Sequence, residues 1–197
     1  MLKDFIHEAI PFKQFRKGDV IYRQNAIPRY FYEVNSGEVK IANMNNDGRE
    51  FIQGLYKSGE NFGTTALVCN KPYASNAVAN TFCEIHLIPR IQFFQLLKTN
   101  YSFHFNITET VCKQLQYKNM MLEEFAIEEG EHRLLTLIHY LMDQKAPGNK
   151  TLDTTKQQLA DMTGLRVETV IRILKNIEDS GKIVTSRGKI VCLSNRQ

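Results

Sequence analysis

The stretch TTKQQLADMTGLRVETVIRILK, from Thr154 to Lys175, carries the clearest local pattern in the chain. Thr155, followed three residues later by Gln158, is the capping box that begins a helix. Gly164 interrupts the pattern where the chain must turn, which costs little for a residue without a Cβ. Apolar residues then return at helical spacing, at Val167, Val170, Ile171 and Leu174. The stretch predicts two short helices joined by a tight turn.

Two helices joined by a glycine-containing turn form the unit that places a recognition helix in the major groove of DNA. GKIVTSRGKIVCL follows, from Gly181 to Leu193, with two β-branched runs joined at 186–188. That pattern predicts a hairpin wing. An ordinary helical hairpin in a protein core has the same spacing, so the helices alone leave both interpretations open.

Length and charge narrow the class of protein. At 197 residues, with 43% apolar and 23% charged residues, the chain is typical of a soluble globular protein of one or two domains. From Gly130 onward there are eleven Lys or Arg against seven Asp or Glu, whereas the first 129 residues contain fourteen of each. The positive excess thus lies on the segment with the predicted DNA-reading unit, which suits contact with phosphates. A solvated surface can have the same composition.

Several classes of site are not expected. The chain has no apolar run long enough to span a bilayer and no N-terminal signal-peptide pattern, so we expect a cytoplasmic protein with no membrane partner. Cys69, Cys83, Cys112 and Cys192 are scattered, without CxxC pairs, which predicts reduced thiols and no metal or other cofactor. We find no nucleophile–base constellation or phosphate-binding glycine loop, so we expect no enzyme activity.

The first hundred residues predict a strand-rich domain after a helical segment that ends near Pro11. Short β-branched and aromatic runs are separated by turns, of which Asn45-Asn46-Asp47-Gly48 is the strongest hairpin signal. Strands at this spacing predict a sandwich or a barrel-like roll. Pro89 then precedes a helix from Arg90 to Lys98.

A long helix is predicted from about Ser102 to Ile127. Its apolar residues recur at spacings of three, four and seven: Phe103, Ile107, Val111, Leu115, Leu122 and Phe125. Such a stripe is typical of a seam between two helices, although it could also pack on its own domain. Because the helix is longer than one small roll can cover, we expect a homodimer. Its interface residues would be Ile107, Val111, Leu115, Leu122 and Phe125.

Three further elements complete the predicted order. Residues 128–130 break the helical pattern and predict a hinge. A helix from Glu131 to Asp143 and a loop at 146–149 then lead to the DNA-reading unit. The fold class is therefore α+β: an N-terminal β-roll, a long dimerisation helix and a C-terminal winged helix-turn-helix.

Five segments carry a family resemblance: KGDVIY at Lys17, NSGEVKI at Asn35, DGRE at Asp47, SGENFG at Ser58 and VETVIRILKNIEDSGKI at Val167. Together with the order of elements, they resemble the CRP/FNR family of transcription regulators over nearly the whole chain. The resemblance implies a homodimer on a two-fold symmetric site in double-stranded DNA, with RNA polymerase as a further partner. It also implies an effector in the roll that biases the DNA-binding domains.

The resemblance also identifies a degenerate effector pocket. In members that bind cyclic AMP, a Glu holds the ribose and an Arg neutralises the cyclic phosphate; here Thr64 and Ala74 stand at those positions. Lys118 and Asn119 replace the Thr-Ser pair that contacts adenine. Burying a phosphate without its guanidinium partner is costly, so we expect no useful binding of cyclic AMP. The pocket positions are Phe62, Gly63, Thr64, Thr65, Ala74, Ser75, Lys118 and Asn119.

Other effectors of the family have little support in the sequence. The iron–sulfur sensors of the FNR type use N-terminal cysteines, and this chain has none before Cys69. Haem-sensing relatives use a histidine or an N-terminal ligand, and a lone histidine is more often structural. A different, unknown small-molecule effector, or none at all, stays open.

The DNA-reading residues follow from the same resemblance. Glu168 and Arg172 match the pair that reads base edges, since Arg172 can donate to guanine O6 and N7 and Glu168 can accept from cytosine N4. Val167 stands where the cyclic-AMP-responsive branch has an Arg. Ile171, where FNR-like proteins carry a Ser, can contact a thymine methyl group. The expected phosphate contacts are Thr155, Lys156, Gln157, Arg166, Thr169, Lys182, Arg187 and Lys189.

These expectations divide the chain into a β-roll effector-type domain at 1–100, a dimerisation helix and hinge at 101–128, and a winged helix-turn-helix at 129–197. We expect a sequence-specific DNA-binding transcription regulator. The alternative is a small-ligand-binding module of the cyclic-nucleotide-binding type whose DNA-binding domain is secondary or non-functional.

Overall fold

The computed structural model describes residues 11–127, 129–145, 151–186 and 189–192. The predicted N-terminal helical segment, position 128 of the hinge, the loop at 146–149 and Arg187 of the predicted wing lie outside the described residues. The chain divides into two compact units, Met1–Gln116 and Tyr117–Gln197.

The described part of the first unit contains a β-roll. Its strands are β1 (Phe12–Phe15), β2 (Val20–Tyr22), β3 (Tyr30–Ser36), β4 (Glu38–Met44), β5 (Glu50–Lys57), β6 (Asn61–Phe62), β7 (Asn76–Ala79) and β8 (Cys83–Pro89). They form two antiparallel four-stranded sheets, in the orders β1-β8-β3-β6 and β2-β7-β4-β5. Inward side chains from both sheets, among them Val34, Val39, Ala77 and Ile85, make one buried apolar cluster. The predicted roll is confirmed.

The hairpin predicted at Asn45–Gly48 is confirmed, because β4 pairs with β5 across it. The side-chain Oδ1 of Asn45 accepts hydrogen bonds from the N–H groups of Asp47 and Arg49, at 3.0 and 2.9 Å. This side chain replaces backbone acceptors inside the turn, which is why Asn is favoured there.

Helices cover the outer face of the first sheet. They are α1 (Thr64–Cys69), α2 (Arg90–Thr99) and α3 (Tyr101–Ile127). Their contact with the sheet is a second buried cluster formed by Phe31, Leu67, Ile88, Phe93, Phe103 and Ile107. Phe31 stacks on Phe93 with ring centroids 4.8 Å apart. The first part of α3 thus belongs to the core of the roll.

The stripe predicted along α3 combines two faces, and this part of the prediction is wrong. Ile107 is only 5% exposed and Val111 packs partly buried against the same cluster, so both side chains pack within their own chain. Leu115 and Leu122, in contrast, are 55% and 68% exposed. Phe103, Ile107 and Val111 follow each other at a constant spacing of four, which drifts around a helix of 3.6 residues per turn.

The outward face of α3 has a different spacing. Its exposed positions alternate by four and three residues: Tyr101, Phe105, Thr108, Cys112, Leu115, Asn119, Leu122 and Ala126. This is a heptad repeat that the stripe read from the sequence missed. We call these eight residues the outer seam.

The second unit has the predicted winged helix-turn-helix. Its elements are α4 (Gly130–Asp143), β9 (Thr151–Leu152), α5 (Lys156–Thr163), α6 (Val167–Asp179), β10 (Ile183–Ser186) and β11 (Lys189–Cys192). The strands form an antiparallel sheet in the order β10-β11-β9. Leu134, Leu137 and Ile138 of α4 are buried. Over the described ranges, no helix is both long and apolar enough to span a membrane.

Candidate DNA-binding surface and effector pocket

The start of α5 is fixed by the predicted capping box. The Thr155 hydroxyl accepts from the N–H of Gln158 at 3.1 Å, and the Gln158 side chain accepts from the N–H of Thr155 at 2.9 Å. The helix ends at Thr163 and is capped by Gly164, whose φ of 68° lies in the left-handed region that glycine adopts without strain. Both local signals in the sequence therefore set the bounds of this helix.

Helix α6 buries one face and exposes the other. Val170, Ile173, Leu174 and Ile177 are buried. Ile171, which the sequence pattern placed in the apolar stripe, is instead 45% exposed. These four apolar positions, at spacings of three and four, already fill the buried face, so the side chain of Ile171 lies just outside it.

The exposed face of α6 carries three of the four expected base-reading side chains. Glu168, Ile171 and Arg172 are exposed, and Val167, at the first position of the helix, is half-buried. Glu168 and Arg172 lie one turn apart, about 6 Å along the helix axis. Within the described part of the chain no ion pair joins them. Their charged groups face solvent and are available for a ligand.

Positive groups are also exposed on other elements of the second unit. Lys156 and Gln157 are exposed in the first turn of α5, where backbone N–H groups point out of the helix. A pocket of about 190 Å³ brings Lys156 close to the wing and is lined by Thr154, Lys156, Thr185, Lys189 and Ile190. Lysines from two separate elements thus converge on one concave site.

The remaining residues expected to contact phosphates differ in their exposure to solvent. Arg166 and Lys182 are exposed, whereas Thr169 is half-buried and Arg187 lies outside the described residues. The Nζ of Lys189 pairs with a carboxylate oxygen of Asp153 at 2.8 Å. A phosphate at Lys189 has to compete with that exposed carboxylate. Lys156 is therefore the more accessible of the two lysines for a phosphate.

A carboxylate fixes the wing to α6. Glu178 accepts hydrogen bonds from the backbone N–H and the hydroxyl of Thr185, both at 2.6 Å. The Thr185 hydroxyl, followed by its N–H, holds the pKa of Glu178 below its ordinary value of 4.5. The contact therefore requires the ionised carboxylate and is present at neutral pH. Sequence reasoning missed this pair, because its members belong to different elements.

The expected effector residues in the roll lie around the start of α1. Phe62, Thr64 and Ser75 are buried, while Thr65 and Ala74 are exposed. The Thr64 hydroxyl donates to the side-chain Oδ1 of Asn61 at 2.8 Å. The structure thus brings 62–65 together at one corner of the roll. Lys118 and Asn119 are exposed residues of α3 in the second unit.

Aromatic rings fill the space beside this corner. Tyr22 and Tyr73 stack with centroids 3.6 Å apart and planes within 9°. Gly63 has a φ of 72°, and a Cβ built on it would lie 3.1 Å from a ring carbon of each tyrosine. Tyr32 stacks on Phe62 at 5.3 Å. The backbone at Gly63 is therefore in contact with packed aromatic side chains.

The tyrosine hydroxyls beside Gly63 stay protonated. Burial, assisted by the neighbouring tyrosines, raises the pKa of Tyr22 and of Tyr73 well above the ordinary value of 10.0. The corner therefore presents neutral groups. Among the described residues, no cluster of three His, Cys, Asp or Glu is placed to hold a metal ion. Sequence reasoning missed Tyr73, since nothing local marks it as a partner of Tyr22.

Comparison with known proteins matches both units of the chain. A family model described as cyclic nucleotide-binding domain matches residues 12–100, and one described as Crp-like helix-turn-helix domain matches residues 132–197. The chain is 27% identical over 165 residues to the cAMP-activated global transcriptional regulator CRP of Haemophilus influenzae, covering 81% of this chain and 73% of that protein.

Solved structures share the fold. FixK2 from Bradyrhizobium japonicum superposes with a TM-score of 0.81 at 19% identity, covering 95% of this chain and 94% of that one. The c-di-GMP responsive global regulator CLP of Xanthomonas campestris gives a TM-score of 0.75 at 22% identity, covering 94% and 95%. At these identities the likeness concerns the arrangement of the elements, and the chemistry of each site rests on its own residues.

Proposed function

The chain belongs to the CRP/FNR family of DNA-binding transcription regulators, and on that premise we propose that it acts as a homodimer on a two-fold symmetric DNA site without using cyclic AMP. The observation that carries the proposal is the exposed face of α6. It presents Glu168, Ile171 and Arg172 to solvent while the opposite face is buried in the core of the second unit.

Base reading follows from the chemistry of these three side chains. The guanidinium of Arg172 presents paired donors that match guanine O6 and N7, and Glu168 can accept from cytosine N4. Ile171 offers an apolar surface for a thymine methyl group. Since Glu168 and Arg172 are one turn apart, they reach neighbouring base pairs from one helix. The proposal therefore specifies a G·C core in each half-site.

The outer seam supports the proposed homodimer. A heptad repeat of exposed positions on one helix buries its apolar members only when a second helix covers it. The isolated chain leaves Leu115 and Leu122 largely exposed. A second copy of α3 would bury both side chains. In a two-fold dimer each outer seam packs on the same seam of the partner. We therefore assign the interface to the outer seam, which keeps Leu115 and Leu122 of the residues first expected there.

We propose one role for each of three consecutive segments of the chain. Residues 1–100 form the effector-type roll, 101–128 the dimerisation helix and hinge, and 129–197 the DNA-binding domain. RNA polymerase in the cytoplasm is the further partner, because a regulator bound at a promoter acts on the enzyme that transcribes from it.

We expect cyclic AMP to bind this protein more weakly than about 1 mM and to leave its DNA affinity unchanged. Thr64 supplies a hydroxyl already bonded to Asn61, and Ala74 supplies no charge for a phosphate. The Tyr22–Tyr73 stack packs against Gly63 beside them. Isothermal titration calorimetry measures the binding, with the cAMP-activated regulator of Haemophilus influenzae as positive control. Submillimolar binding that also strengthens DNA binding would refute the expectation.

Phosphate contact is tested by the salt dependence of DNA binding. Changing Lys156 and Lys189 together to Gln should lower the slope of log K against log salt by about 1.8, because each phosphate contact contributes about 0.9. Fluorescence anisotropy on a random-sequence duplex between low and physiological salt measures the slope. Lys98→Gln with Lys113→Gln removes the same charge from exposed residues of the first unit and serves as control. Equal slopes for both double variants would remove the two lysines from the DNA-binding surface.

A further inference from the structure

Arg133 occupies an unusual position in the second unit, between the ends of two helices. It lies in the first turns of α4, directly after the junction with α3. Its Nε donates to the backbone carbonyl of Glu124 at 3.3 Å, and its Nη1 donates to the carbonyl of Thr163 at 3.1 Å. One guanidinium therefore bonds the last turn of α3 and the last residue of α5 at the same time.

Both carbonyls lie near helix C-termini, since Glu124 is in the last turn of α3 and Thr163 is the last residue of α5. Because α5 ends at Thr163, the Thr163 carbonyl has no in-helix donor four residues on. Helix C-termini carry partial negative charge, and a cation there is stabilising. The planar fork of arginine can bridge two acceptors in fixed directions, whereas the point charge of lysine cannot impose that geometry.

The guanidinium of Arg133 lies over the aromatic ring of Phe125. The centre of the guanidinium lies 4.5 Å from the ring centroid, within the range of a cation–π contact. The same ring touches the turn of the helix-turn-helix, since a Cβ built on Gly164 would lie 3.3 Å from Phe125 Cε1. Glycine at this turn thus permits a close approach by the end of α3.

Two other contacts hold the same junction. A Cβ built on Gly130 would lie 2.9 Å from Leu165 Cδ2, so the start of α4 also packs on the turn after α5. The buried carboxylate of Glu124 pairs with Nδ1 of His132 at 2.9 Å. Hydrogen bonds, ring stacking and close packing therefore converge where α3, α4 and the turn between α5 and α6 meet. The residue that touches both helix ends is Arg133.

We propose that Arg133 is a positioning residue for DNA recognition, which sets the angle at which α6 projects from the end of α3. The inference rests on the proposed homodimer. If the two α3 helices pair, the joint at Arg133 in each protomer determines the separation and relative rotation of the two α6 helices. Arg133 then governs which spacing between half-sites the protein accepts, without touching DNA.

Half-site spacing gives a readout that a merely structural arginine would not change. One added base pair rotates a half-site by about 34° around the duplex axis and displaces it by about 3.4 Å. The wild-type protein should therefore bind its preferred spacing about tenfold or more tightly than spacings changed by one base pair. Arg133→Lys should weaken binding to the preferred spacing and flatten this preference, with affinity for a single half-site within about twofold of wild type.

The experiment compares four proteins by fluorescence anisotropy on four duplexes. The duplexes carry one half-site, the preferred full site and full sites with one base pair added or removed. The proteins are wild type, Arg133→Lys, Phe125→Leu and the charge-matched control Arg23→Lys, which makes the same change at an exposed arginine of the first unit. Phe125→Leu keeps an apolar side chain against Gly164 but removes the ring beneath the guanidinium, so it should shift the spacing profile in the same direction as Arg133→Lys.

The outcomes separate the inference from the proposed function. A flattened spacing profile with preserved half-site binding supports the positioning role. Equal losses on half-sites and full sites, or a profile identical to wild type, would overturn it while the proposed function stands. If the wild-type protein prefers no symmetric site at all, the proposed function fails and the inference fails with it.

Discussion

Replacing Leu115 and Leu122 together by Asp is expected to turn the dimer into a monomer and to weaken binding to a symmetric DNA site by about 100-fold or more. Each leucine loses about 1.5–3 kcal/mol of apolar burial at the seam, and the new carboxylates would face their own copies across the two-fold axis. Because both leucines are exposed in the isolated chain, the folded protomer should tolerate the change. The large loss on DNA arises because two linked reading helices bind far more tightly than one.

Sedimentation velocity gives the oligomeric state, and anisotropy on full and single half-sites gives the affinities. Ser102→Asp with Gln116→Asp is the matched control, since both residues are exposed on α3 but lie off the outer seam. The control should stay dimeric. A double leucine variant that remains a dimer with full DNA affinity would place the interface on another surface.

Replacing Arg172 by Ala is expected to cost about 1–3 kcal/mol on the preferred site and to relax selection at one base pair of each half-site. The reason is the loss of a two-donor contact that only guanine accepts in that geometry. Arg172→Lys keeps the charge without the planar fork, so its non-specific affinity should equal wild type while its discrimination falls.

Competition binding against duplexes carrying each of the four bases at that position measures the discrimination. The ratio of specific to non-specific affinity is the informative quantity, because phosphate contacts shift both together. If Arg172→Ala weakens all duplexes equally, the side chain is a phosphate contact and another residue reads the base. The exposed position of Arg172 on α6, without an ion pair within the described residues, leads us to expect selective loss.

Local signals in the sequence predicted turns and helix ends well in both units. The capping box of Thr155 with Gln158, the turn at Gly164 and the hairpin turn at Asn45–Gly48 each depend on residues a few positions apart, and all three occur in the structure as predicted. Such signals act within one turn of chain, so their geometry depends little on contacts with distant segments.

Helix faces were predicted less accurately, because periodicity alone does not tell which neighbour covers a face. Ile107 fits an apolar stripe with Leu115, yet Ile107 packs on Phe31 and Phe103 in the roll while Leu115 faces outward. Ile171 fits the stripe of α6 but lies just outside its buried face. A small angular drift moves an apolar residue from the core to a surface available for a partner.

Contacts between distant segments carried no signal in the sequence. Tyr22 of strand β2 stacks on Tyr73 of the segment after α1. The two rings fill the corner of the roll beside Gly63. The bridge from Arg133 to Thr163 spans 30 residues. Each depends on the fold that brings its members together, so neither can be found from spacing or composition.

The central claim is that the protein, as a dimer without effector, reads a symmetric DNA site with one α6 per half-site. Selection from a pool of random duplexes by purified protein, at near-physiological salt and with no added ligand, tests it most directly. We expect inverted half-sites with a G·C core, their centres about one helical turn apart. Recovery of unrelated sequences, bound with a steep salt dependence and no symmetric motif, would contradict the claim.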